Sequence, residues 1–127
     1  MKTKILVKNR KKKLSLQDAF SIAYKWSQKH PQCINEDDLC IYRNEKETNA
    51  CLIGALIPDS FRPIRLEGDV WDIWQNIKLL FVNNINIEKL RELQICHDDA
   101  SRTYYKKEVK ENLREFATKY KLKIPSL

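Results

Sequence analysis

The sequence predicts one α+β domain, mostly α, with about four helices and one short β-hairpin near residues 39–53. Three observations lead there. Several segments place apolar residues at the three- and four-residue spacing of a single helix face. Only two glycines and four prolines occur in 127 residues, too few for the many tight turns of an all-β fold. One stretch, Ala50-Cys51-Leu52-Ile53-Gly54-Ala55-Leu56-Ile57, is apolar at every position in a chain otherwise dense in charge, and Pro58-Asp59 closes it. That stretch is expected to be the buried hub.

The elements follow in chain order. Residues 1–14 read as a basic arm and 15–127 as a single globular domain. Seven of the first thirteen residues are basic. Ile5-Leu6-Val7 has the character of a short edge strand, and Lys8 to Lys13 that of a solvated linker. Ser15 is a good N-cap, with Asp18 in the first turn where the helix dipole favours an anion. Leu16, Phe20, Ala23 and Trp26 then share one face, and His30-Pro31 ends the helix because proline pushes its predecessor out of the α region.

Leu39 to Arg43 has strand character, and Asn44 to Asn49 is a polar connection. A hairpin leading into a short buried helix at 50–57 fits this pattern; a wholly helical 50–57 fits it too, since a short apolar run does not separate the two. Asp69 resembles an N-cap for a second helix carrying Val70, Ile73 or Trp74, Ile77, and Leu80 or Phe81. A third is expected over about 87–98 and a fourth from about Thr103 to Leu122, through Tyr105, Val109, Leu113, Phe116 and Tyr120. The predicted core is Phe20, Ala23, Trp26, Leu52, Ile53, Leu56, Ile73, Ile77, Leu90, Leu93, Val109, Leu113 and Phe116.

Cys40-Ile41-Tyr42-Arg43, the run from Ala50 to Asp59, Leu66-Glu67-Gly68, and Leu93-Gln94 with His97-Asp98 together resemble a group of small uncharacterised bacterial and phage proteins. Their pattern is Cys-x-Tyr-Arg, then Cys-x-x-Gly-x-Leu-Ile-x-Asp, then Leu-Gln-x-x-His-Asp. The resemblance covers about residues 39–100 and implies no activity. The chain departs from it at Asn44–Asn49, where such sequences have a glycine-containing turn.

Composition narrows the function classes. No apolar run approaches a membrane span, and the three-residue run near the start is too short for a signal peptide. The expected location is cytoplasmic, with Cys33, Cys40, Cys51 and Cys96 as reduced, mostly packed thiols. The cysteines are separated by six, ten and forty-four residues, without a close pair, so neither a structural metal nor a cofactor is expected. A net charge of +7 favours anionic partners.

Several residues invite a chemical reading beside a plainer one. Cys51 opens a possible helix, where a thiolate is favoured, and His97 is the best candidate base for it. The plainer reading makes Cys51 a small core residue and holds His97 on an inner face by a backbone or side-chain partner. Asp98 is not expected to orient His97 unless the helix ends between them, because helix neighbours point about 100° apart.

Arg43, Arg62 and Arg65 flank the apolar run and form a fork for phosphate or carboxylate if they converge, with Trp71 and Trp74 as stacking faces. Otherwise they are solvated or salt-bridged. Lys11, Lys12 and Lys13 offer counterion-release contacts to a phosphate backbone. The preferred function is a small basic non-enzymatic binding protein that meets a protein assembly or nucleic acid through the arm and the arginine surface. The alternatives are a thiol-dependent hydrolase or transferase using Cys51 and His97, and a binder of a small anionic ligand.

Overall fold

The structure, a computed structural model, describes residues 13–33, 51–57, 74, 77–82 and 85–126. These form three α-helices, α1 (Leu16–Lys29), α2 (Ile87–Asp98) and α3 (Tyr105–Tyr120), with 3₁₀ turns at Gly54–Leu56 and Lys78–Leu80.

The expected four helices with a β-hairpin are therefore corrected. Among the described residues there are three helices and no strand, only an isolated parallel bridge between Leu14 and Phe81. Residues 39–50 of the expected hairpin lie outside the described residues. Its far end, Cys51–Ile53, is a turn leading into a 3₁₀ helix. The reason is local. A segment apolar on every side has no face to give to water, and it closes its own backbone: Ala55 N–H donates to Cys51 O (2.9 Å), Leu56 N–H to Ile53 O (3.0 Å) and Ile57 N–H to Gly54 O (3.2 Å). It needs no partner strand.

The expected second helix also differs at its end. Trp74 and Ile77 are helical, but Lys78–Leu80 tightens into a 3₁₀ turn and Phe81 is extended. Leu14 takes over the pairing there: its N–H donates to Leu80 O (2.8 Å), and Val82 N–H donates to Leu14 O (3.0 Å).

The other boundaries follow from capping. Ser15 Oγ accepts from Asp18 N–H and Asp18 Oδ2 accepts from Ser15 N–H, both at 3.1 Å, a reciprocal capping box. α1 stops at His30, before Pro31. Asn86 caps α2 by accepting from Lys89 N–H at 3.0 Å. α3 ends on Lys121 in the left-handed region (φ 56°), with Leu122 N–H turning back to Ala117 O at 2.8 Å.

The run 51–57 is buried throughout and packs on α1, so it is the hub the sequence implied. Phe20 of α1 stacks on Phe116 of α3, with ring centroids 6.0 Å apart. Leu90 and Leu93 of α2 and Val109 and Leu113 of α3 complete the centre. Of the predicted core, Ile73 lies outside the described residues and Trp26 is half-buried; the rest is buried. The α1 face is rotated slightly from the predicted one. Its buried line runs through Ala19, Phe20, Ala23, Tyr24 and Ser27, which leaves Trp26 at the rim, stacked on His30.

Side chains fasten the helices to one another. Glu92 of α2 accepts from Lys119 Nζ (2.9 Å) and Tyr120 OH (2.6 Å) of α3. Partial burial raises the Glu92 carboxyl, but the Tyr120 and Lys119 hydrogen bonds and the Lys119 and Lys89 charges outweigh it and hold it below its ordinary value. The tail is pinned by Gln17, whose amide donates to Lys123 O (2.9 Å) and accepts from Lys123 N–H (2.8 Å).

Candidate functional site

His97 sits in the last turn of α2, buried, with both ring nitrogens engaged. Cys33 N–H donates to Nε2 at 3.2 Å, and Nδ1 lies 2.9 Å from Asp98 Oδ1. A donor at Nε2 makes that nitrogen the acceptor, so the ring proton sits on Nδ1 and is donated to Asp98. The helix does not end between the two residues, since Asp98 is its last member, so this contact corrects the expectation that helix neighbours could not meet. Gln94, one turn earlier, donates to the same carboxylate oxygen (3.0 Å) and accepts from Ile53 N–H at 3.2 Å. The chain Cys33, His97, Asp98, Gln94, Ile53 thus ties the segment after α1, the end of α2 and the apolar hub together.

Cys51 is fully buried, and its sulfur accepts from Gly54 N–H at 3.4 Å. Both ring nitrogens of His97 are occupied by other groups, an arrangement unlike the thiol–imidazole pair a nucleophile needs. Cys96 donates to Glu92 O, and burial first, then the Asp99 charge, push its thiol up to about 12. Cys33 is buried as well. Among the described residues no three His, Cys, Asp or Glu side chains stand close enough to hold a metal, and no helix is long and apolar enough to cross a membrane.

Of the sequence-predicted binding residues, Arg43, Arg62, Arg65, Trp71, Lys11 and Lys12 lie outside the described residues. Trp74 is half-buried and stacks on Phe81 (6.3 Å between centroids), and Lys13 is exposed beside the bridge at Leu14.

A different surface brings cations together. An open cleft of about 620 Å³ lies where α1 and α2 end and α3 begins. Among the described residues Pro31, Gln32, Arg102, Thr103, Tyr104, Tyr105, Lys106 and Lys107 line it, three of them cations and none a carboxylate. Gln32 holds one wall by donating to two carbonyls at the end of α2, His97 O (3.2 Å) and Ala100 O (3.0 Å). Ser101 holds the other. Its N–H and hydroxyl donate to the two Glu108 oxygens (2.9 and 2.7 Å), and its Oγ accepts from Tyr104 N–H (3.2 Å). The Ser101 backbone and side-chain hydrogen bonds lower the Glu108 carboxyl. Tyr105 turns inward, edge-on to His97, while Tyr104 stays 63% exposed.

Sequence periodicity assigned Lys106 and Lys107 to an ordinary solvated face. The signal that marks them is their position in the first turn of α3, where the dipole favours anionic side chains over lysines. The chain matches no family model, no curated protein and no solved structure.

Proposed function

We propose that this is a small basic non-enzymatic binding protein of bacterial or phage origin that works in the cytoplasm and holds an anionic partner. The observation that carries this reading is the convergence of Arg102, Lys106 and Lys107 on one open cleft. Such a patch lowers the cost of bringing a polyanion to the surface and speeds its approach. The net charge of +7 and the basic arm with Lys11, Lys12 and Lys13 support it. Arg43, Arg62 and Arg65, with Trp71 and Trp74, extend the binding surface in this reading. The groups capable of chemistry, His97, Cys51 and Cys96, are buried within hydrogen-bonded frames, which favours binding over catalysis.

The test is elution from immobilised heparin in a salt gradient. Replacing Arg102, Lys106 and Lys107 by alanine lowers the eluting salt. A control that removes Lys25, Lys78 and Arg114, exposed residues outside the cleft lining, lowers it less although the net charge is the same. Equal losses in the two triple variants would show that net charge, and no particular cleft, governs retention.

A further inference from the structure

We infer that the cleft takes a segment of single-stranded nucleic acid, with one unstacked base lying on Tyr104. This rests on the cleft being the anion-binding surface proposed above.

Size is the first argument. The volume of about 620 Å³ is many times what a single water occupies. An inorganic anion leaves most of that space empty, whereas a nucleotide with its flanking phosphates uses it. The second argument is the lining. Arg102, Lys106 and Lys107 bring positive charge to the lining, and Tyr104 lies among them in sequence with its ring largely in water. An exposed aromatic next to cations is a stacking platform with an electrostatic track.

The third argument concerns rigidity. The turn that carries Tyr104 is tied through Ser101 to Glu108, so the tyrosine is presented from a fixed loop. Paired bases within a duplex do not offer a face to such a ring, and an acidic protein surface has no use for one. Both partners would engage the cations alone.

The lining also sets the selectivity. Gln32, the one side-chain amide among the described lining residues, already spends its Nε2 on two backbone carbonyls. Among the described residues no Asn, Asp or Glu lines the cleft to pair with a base edge. The inferred binding is therefore tolerant of sequence, since stacking and phosphate contacts read none.

The experiment is fluorescence anisotropy with the full chain and a labelled oligothymidylate of about 15 nucleotides, the upper range of one site. A duplex of equal length and polyglutamate serve as competitors. The single strand binds at low salt and is displaced poorly by either competitor. Tyr104→Ala weakens binding about 5- to 150-fold, the worth of one stacked base, while Tyr104→Phe keeps it. The combined Arg102→Ala, Lys106→Ala and Lys107→Ala variant reduces the slope of log K against log salt by about 2.

Failures separate cleanly. If the triple variant loses binding while Tyr104→Ala keeps it, or the duplex or polyglutamate competes as well as the single strand, the base-stacking inference is overturned and the anion cleft stands. If the triple variant binds like the wild type, both fall. The competition uses the native protein, so it decides the matter even where a variant misfolds.

Discussion

His97 offers the sharpest test of whether the interior is structural or catalytic. In His97→Ala a ring that is 1% exposed disappears, and the buried Cys33 N–H loses its acceptor. The truncation costs about 2 kcal/mol, at the low end of large-to-small core changes because imidazole is small. The lost acceptor adds ~1–3 kcal/mol of unpaid desolvation. The sum, about 3–5 kcal/mol, is a large part of the roughly 5–15 kcal/mol that holds a domain together. In a urea titration read by far-ultraviolet circular dichroism, the midpoint falls by about 2 M at a slope near ~2 kcal/mol/M.

Two companions sharpen the reading. His97→Gln keeps an acceptor on a flexible side chain and recovers part of the loss. Asp98→Ala costs less than His97→Ala, because Asp98 is 40% exposed and water replaces much of what it gives. A catalytic imidazole predicts the opposite pattern, since active-site groups are retained at the expense of stability and their removal is neutral or stabilising. A loss below about 1 kcal/mol in His97→Ala would refute the structural assignment.

Three further outcomes are expected. Lys121→Gly stabilises the protein by about 1 kcal/mol, the cost of holding a side chain at positive φ, and raises the melting temperature by about 4 °C; no rise would mean that Lys121 leaves this conformation in solution. Glu92→Gln flattens the acid limb of the stability curve. The folded carboxyl lies below its ordinary value, so its contribution is full above about pH 4.3 and fades as pH falls through the folded value; an unchanged limb would count against the Lys119 and Tyr120 contacts. Native iodoacetamide labelling at neutral pH, read by peptide mass spectrometry, leaves Cys51 and Cys96 unmodified over the time an exposed thiol reacts fully; rapid modification of Cys51 would revive the thiol-enzyme reading.

How much was legible in the sequence depends on how local the cause was. α1, α2 and α3 were readable because caps and periodicity act within a turn or two: Ser15 with Asp18, Pro31 after His30, and Leu90 with Leu93 are all near neighbours. Residues 51–57 showed their burial but not their backbone form, because an all-apolar run suits any element closed on every side. Leu14 was beyond reach, since its pairing with Phe81 joins residues far apart in the chain. The polar frame was hidden for the same reason. Nothing next to Gln94 announces Ile53, and nothing next to His97 announces Cys33.

The same distinction explains where a binding site belongs in this molecule. Polar groups inside it are committed: His97 and Gln94 close backbone bonds, both reach the partly exposed Asp98, and the Cys51 sulfur accepts from Gly54 N–H. Drawing any of them into a reaction would leave a buried donor without its acceptor, at a cost near that of the proposed His97→Ala variant. The turn from Ser101 to Lys107 is under no such constraint. Its backbone is fixed by Glu108, yet Tyr104, Lys106 and Lys107 stay exposed. Two lysines at the positive end of α3 are mildly unfavourable in the free protein, and an approaching phosphate relieves both them and the dipole. Neutralising Lys106 and Lys107 together should then slightly stabilise the free protein while weakening its hold on a polyanion. Opposite signs in the melting temperature and in heparin elution are the signature of a surface kept for binding, and a fall in both would place those lysines in the fold itself.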